Sequence, residues 1–130
     1  MSAEQALLNA YSEWRRLTEA EGKAVRMRNW NLLLECQQAI KKIQPLITQL
    51  RFAARAEWKN SGADRVAKEE NIRAIVSELI ELGQRNKMLL QTARDAAQAK
   101  RQQLEQAGRN LKRLQLSYVS ARPSAWTSFS

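Results

Sequence analysis

The fold of this chain is decided by residues 64–118, which read DRVAKEENIRAIVSELIELGQRNKMLLQTARDAAQAKRQQLEQAGRNLKRLQLSY. This stretch contains no proline, and its apolar residues recur in steps of three and four, the period of one helix face. We therefore predict one amphipathic helix, which at about 1.5 Å per residue would extend roughly 80 Å. The apolar positions at its two ends are Ile72, Ile75, Leu79 and Leu82, and then Ala97, Leu104, Ala107, Leu111, Leu114 and Tyr118.

Two shorter helices are predicted before this stretch, over about residues 3–28 and 30–60. Asn29 is a candidate N-cap for the second helix, although the two segments could also form one continuous helix. Gly62 suits the left-handed conformation that often follows a helix end, and Asp64 is a candidate N-cap for the long helix.

The predicted fold class is all-α: a three-helix antiparallel bundle or coiled coil with one long C-terminal helix. Four glycines and two prolines among 130 residues leave few helix breakers. We expect one helical domain over residues 1–118. Residues 119–130 contain Pro123 and five serines or threonines, and we expect them to form a short, flexible, disordered tail.

The long helix changes character near its middle. Up to Leu90 its apolar face consists of isoleucine, valine and leucine, whereas from Ala93 onward alanines replace them before leucines return. Small side chains bury little area and therefore stabilise little. We expect residues 64–90 to pack firmly on the first two helices, and residues 93–118 to be less stable and open to a partner.

One polar residue interrupts the apolar face before this change. Asn86 falls on the stripe between Leu82 and Leu89. We predict that Asn86 is a buried polar position that fixes the register of the bundle at some loss of stability.

The chemistry needed for catalysis is missing from the sequence. There is no histidine, the commonest general base and metal ligand near neutral pH, and the four glycines form no phosphate-binding loop. We therefore expect no enzyme activity, no metal, no cofactor and no small-molecule substrate. The single cysteine, Cys36, lies on the apolar side of the second helix, where we predict a buried structural thiol.

The location and the general class of partner are constrained by the patterns of charge and hydropathy. No apolar run approaches 18 residues and no secretory signal begins the chain, so we expect a cytoplasmic protein. The net charge of +9 raises nucleic acid as a partner, but the charge is spread along the chain. Residues 1–65 carry 11 Lys and Arg against 7 Asp and Glu, and residues 66–130 carry 11 against 6.

The C-terminal part of the long helix combines apolar and basic residues. It could cover its own bundle, lie on an anionic membrane or dock on a partner protein. Its apolar face is narrow and rich in alanine, which favours a protein partner over a membrane. In the tail, Trp126 and Phe129 are further candidate anchors for a pocket on another protein.

Three elements of the sequence resemble the flagellar type III export chaperones of the FlgN type, which are related in form to FliT. The first element has a glutamate, a hydrophobic residue and a capping polar residue, the second has a leucine-rich segment around an asparagine, and the third ends on a tyrosine. The first element comprises Glu21, Val25 and Asn29. The second comprises Leu79, Leu82, Asn86, Leu89 and Leu90, and the third comprises Leu111, Leu114, Ser117 and Tyr118.

The resemblance implies a chaperone that holds the terminal helices of secreted hook–filament junction proteins. It further implies that Tyr118 docks on the membrane protein of the export gate. The residues expected to bind the substrate are Ala93, Ala97, Leu104, Ala107, Leu111 and Leu114. The alternatives are a structural coiled-coil protein that self-associates through the long helix, giving a homo-oligomer, and, ranked last, a basic nucleic-acid-binding protein.

Overall fold

A computed structural model describes the backbone of residues 2–129 and the side chains of residues 2–119. The chain forms three helices, α1 (Ala3–Met27), α2 (Trp30–Ser61) and α3 (Arg65–Phe129). Between residues 2 and 129 there is no β-strand. The predicted all-α, three-helix fold is therefore confirmed.

The boundary between α1 and α2, which the sequence leaves open, is a sharp turn. Arg28 has a left-handed backbone conformation (φ 55°), which ends α1. The side-chain oxygen of Asn29 then accepts a hydrogen bond from the Leu32 amide at 3.2 Å. Asn29 is thus the N-cap of α2, as predicted, and α1 and α2 are separate helices.

The boundary between α2 and α3 follows the local signals in the sequence. Gly62 is left-handed (φ 69°), and its amide donates to the carbonyl of Trp58. The carboxylate of Asp64 accepts a hydrogen bond from the Ala67 amide at 3.2 Å, which caps the start of α3. Both predicted roles are confirmed.

The third helix is longer than the sequence predicts. It passes Tyr118, where we expect it to end, and continues to Phe129. Pro123 lies inside α3, and Pro45 likewise lies inside α2. A proline removes one backbone amide donor from a helix but does not necessarily end it. We predict a flexible tail over residues 119–130, and within this segment only the side chain of residue 119 is described.

The chain divides within α3 into two compact units, residues 1–91 and 92–130. The sequence predicts one domain over residues 1–118, but it also predicts a change in the apolar face at this point, where leucine gives way to alanine. The first unit contains α1, α2 and the beginning of α3. The second unit contains the remainder of α3.

The first unit is an up-down-up bundle. Glu4 contacts Lys68 and Thr18 contacts Asn86, so α1 and the first part of α3 run in the same direction. The amide of Ala3 donates to the carboxylate of Glu57 near the end of α2, so α2 runs antiparallel to both. The main core cluster of the bundle comprises Leu7, Ala10, Tyr11, Ile47, Ala54, Trp58, Ile72 and Leu79.

Two ion pairs connect the helices of this bundle at one end. Arg55 of α2 and Glu69 of α3 form two nitrogen–oxygen contacts of 2.6 and 3.3 Å. Lys68 of α3 contacts Glu4 of α1 at 2.7 Å. The hydrogen bond from Arg55 lowers the pKa of Glu69, and that from Lys68 lowers the pKa of Glu4. Residues 64–90 therefore pack on the first two helices, as predicted. Ile72 and Leu79 lie in the core, and Lys68 and Glu69 form the two ion pairs.

Candidate partner-binding surface

The predicted substrate-binding residues lie in one row on the second unit. Residues 92–129 are a continuous stretch of α3, so positions three, four or seven apart fall on the same side. We call this row the C-terminal stripe. It comprises the six predicted substrate-binding residues, Ala93, Ala97, Leu104, Ala107, Leu111 and Leu114, and also Tyr118, which is predicted to dock on the export gate.

The large side chains of the C-terminal stripe are exposed. Leu104 is 64% exposed, Leu114 is 68% exposed and Tyr118 is 66% exposed, with Leu111 close to these values. Of the described residues from 92 to 119, Ala93 is half-buried and every other residue is exposed. A row of four large apolar side chains open to water is typical of a surface that another molecule covers.

The two flanks of the C-terminal stripe differ in charge. At about 100° per residue, Arg94, Arg101 and Lys112 lie along one flank, together with Glu105. The other flank carries uncharged residues, namely Thr92, Ala99, Gln103, Asn110 and Ser117. The basic residues around the stripe are evident in the sequence, but the difference in charge between the two flanks becomes clear only when each residue is assigned to a side of the continuous helix.

The second unit is also basic as a whole. Residues 92–119 contain six basic residues and two acidic ones, which gives a net charge of +4. The basic residues are Arg94, Lys100, Arg101, Arg109, Lys112 and Arg113, and the acidic ones are Asp95 and Glu105. Lys100 lies within the stripe, between Ala97 and Leu104, where its aliphatic portion extends the apolar row.

In the first unit, the predicted polar core position is confirmed. Asn86 is 4% exposed, and its amide nitrogen donates to the carbonyl of Thr18 at 2.7 Å and to the carboxylate of Glu21 at 3.0 Å. Opposite this amide lies Gly22, where a Cβ atom would come within 2.5 Å of the Asn86 side-chain oxygen. Gly22 therefore provides the space for the asparagine. Considered without this contact, a glycine inside a helix would only weaken it relative to alanine.

The hydrogen bond between Asn86 and Glu21 joins two of the three sequence elements from which we predict an export chaperone. Glu21 belongs to the first element and Asn86 to the second, and 65 residues separate them in the chain. The third element, which ends at Tyr118, lies in the second unit.

The remaining candidate groups are consistent with a structural role. Cys36 is buried, as predicted, and its burial raises the pKa of the thiol, which disfavours the reactive thiolate.

Within the described residues, no cluster of three or more His, Cys, Asp or Glu side chains is arranged to hold a metal ion. The described helices include none that is long and apolar enough to cross a membrane. The candidate anchors Trp126 and Phe129 lie outside the described side chains.

Comparisons with protein-family models, with curated protein sequences and with solved structures gave no match to this chain.

Proposed function

We propose that this chain is a cytoplasmic chaperone of flagellar type III export, which binds the terminal helices of hook–filament junction proteins and delivers them to the export gate. The observation that carries this proposal is the exposed C-terminal stripe. Its leucines and tyrosine lie in one row on a helix and are open to water. An exposed apolar row on a helix suits the capture of another amphipathic helix.

The energetics of the stripe fit a reversible interaction. Fully burying a leucine or a comparable side chain contributes about 1.5–3 kcal/mol. Leu104, Leu111 and Leu114 are each about one-third to two-fifths buried already, so docking of the cargo would gain roughly two-thirds of that value for each, about 3–6 kcal/mol in total. Association itself costs several kcal/mol. The balance favours weak, reversible binding, which lets a chaperone release its cargo.

The mechanism follows from what the stripe would cover. The terminal helices of a secreted subunit that has not yet assembled expose apolar faces, and such faces aggregate. Pairing with the C-terminal stripe would shield these faces until transfer. In this proposal Tyr118, at the end of the stripe, contacts the export gate. The identity of the cargo depends on the resemblance of the sequence to export chaperones.

The test is direct binding of purified hook–filament junction proteins to the full chain. We expect the double substitution Leu104→Asp and Leu111→Asp to weaken binding at least about tenfold, because a buried charge without a partner is strongly unfavourable. The matched control is Gln102→Asp with Gln106→Asp, which adds the same charge on the opposite side of the helix and should leave binding unchanged. Absence of binding by the unaltered chain would refute the proposal.

The role of Tyr118 is tested separately. We expect Tyr118→Ala to retain binding to the junction proteins but to reduce their secretion by cells that carry it. Sedimentation of the chain without cargo separates a chaperone from an assembly protein. A stable oligomer at low micromolar concentration that does not bind the junction proteins would favour a structural coiled-coil protein.

A further inference from the structure

The charge asymmetry of the second unit narrows the chemistry of its partner. We propose that the C-terminal stripe binds an amphipathic helix that carries acidic residues along one edge of its apolar face. This inference rests on the proposed function of the stripe as a partner-binding surface. It adds the charge of the partner, which the proposed function leaves open.

The residues beside the stripe limit which helices can pair with it. Two paired helices bring the residues that flank each apolar row close to one another, and these flanking charges select the partner. On this chain, one flank holds Arg94, Arg101 and Lys112 with Glu105, a net charge of +2. The opposite flank holds no charged residue. Acidic residues on the partner would therefore find their counterions on one side only.

A second copy of this chain does not supply those acidic residues. In a parallel pair, the basic flank of one copy would lie beside the uncharged flank of the other, so no interhelical ion pairs would form. In an antiparallel pair, the two basic flanks would lie beside each other and repel. The net charge of +4 on residues 92–119 adds general repulsion between copies in either arrangement.

An anionic membrane is also a poorer match than an acidic helix. A helix that lies on a membrane usually has basic residues across its polar face and bulky aromatic or aliphatic residues on its apolar face. The C-terminal stripe instead includes three alanines and places uncharged residues along one whole flank. The narrow row fits a helix of similar width, and the one-sided charge gives that helix a preferred orientation.

The experiment uses the full chain and three synthetic 28-residue helical peptides. All three carry the same leucine row, and the residues along one edge of this row are glutamate in the first peptide, glutamine in the second and lysine in the third. An exposed ion pair changes an affinity by about twofold, and the basic flank offers three cations, Arg94, Arg101 and Lys112. We therefore expect the glutamate peptide to bind about tenfold more tightly than the glutamine peptide in 50 mM salt, and the lysine peptide to bind most weakly. The preference should decrease in 300 mM salt because exposed charges are screened.

A matched pair of variants locates the effect. Arg101→Glu with Lys112→Glu changes the basic flank, whereas Arg109→Glu with Arg113→Glu makes the same change in charge on the side away from the stripe. We expect the first variant to lose the preference for the glutamate peptide and the second variant to retain most of it. All four positions are exposed, so circular dichroism should show that both variants keep the helical content of the unaltered chain.

The proposal is overturned if neither the glutamate nor the glutamine peptide binds, if both bind equally, or if the two variants lose the preference equally. It is also overturned if vesicles with 30% phosphatidylserine bind the chain through Arg101 and Lys112 more tightly than the glutamate peptide does. A preference for the glutamate peptide without binding of junction proteins would refute the proposed cargo and leave this inference standing. Binding of junction proteins that Arg101→Glu with Lys112→Glu does not change would refute this inference and leave the chaperone role standing.

Discussion

Replacing Gly22 with alanine should destabilise the bundle, although the same change stabilises most helices. In an exposed helix interior, alanine is favoured over glycine by about 1 kcal/mol. At Gly22, however, the new methyl group would lie 2.5 Å from the side-chain oxygen of Asn86 and 3.3 Å from its Cγ atom. Ordinary contacts between such atoms are longer, so the asparagine would have to move.

That movement is opposed by the contacts of the asparagine. Its amide nitrogen donates two hydrogen bonds, at 2.7 Å to Thr18 and at 3.0 Å to Glu21, and the side chain is almost fully buried. Leaving a buried amide without its partners costs about 1–3 kcal/mol. After the gain in helix propensity is subtracted, we expect Gly22→Ala to lower the free energy of unfolding by up to about 2 kcal/mol.

The assay is urea denaturation of the full chain, followed by tryptophan fluorescence and circular dichroism. Trp58 is buried in the bundle core and should report its unfolding. The matched control is Gly83→Ala. Gly83 also lies within a helix of the first unit, but a Cβ atom there meets nothing within 4 Å. We expect this control to raise the stability by up to about 1 kcal/mol.

A double-mutant cycle isolates the contact itself. When Asn86→Ala has already removed the amide, Gly22→Ala should become stabilising by about 1 kcal/mol, as it is at Gly83. The coupling between the two substitutions should therefore be about 1–3 kcal/mol. If Gly22→Ala stabilises the unaltered chain as much as Gly83→Ala does, the packing argument is wrong.

Other parts of the bundle can be tested in the same assay. Leu7→Ala should destabilise by about 2–5 kcal/mol because Leu7 is fully buried, whereas Phe52→Ala, at a site that is 79% exposed, should change the stability little; similar losses would contradict the assigned core. Arg28→Gly should stabilise by about 1 kcal/mol because Arg28 is left-handed, and a loss of stability would contradict this reasoning. The hydrogen bond from Arg55 lowers the pKa of Glu69 below its ordinary value of 4.5, so its stabilisation is present above pH 4.5 and is lost as the pH falls through the lowered pKa. Because this pair is partly exposed, Glu69→Gln should lower the stability by only about 0.5 kcal/mol at pH 7 and reduce the loss between pH 7 and pH 3; an unchanged pH dependence would contradict the assignment.

The sequence alone determines the helical class and most of the helix ends. Asn29, Gly62 and Asp64 are recognisable as caps because a cap interacts with backbone groups only a few residues away. The C-terminal stripe is recognisable for a similar reason, since the helical period places its residues in one row. Local signals predict the end of α3 less well. The helix continues past Pro123 because a proline disfavours a helix without always ending it.

The tertiary structure decides what the local pattern cannot. It separates α1 from α2 at Arg28, a residue type that rarely signals a left-handed turn. It also pairs Gly22 and Glu21 with Asn86, more than 60 residues away, and so changes Gly22 from a weak point in α1 into a requirement for packing. Such contacts depend on the register between helices, and this register is set by how all three fit together in one core, which no short segment of the sequence specifies.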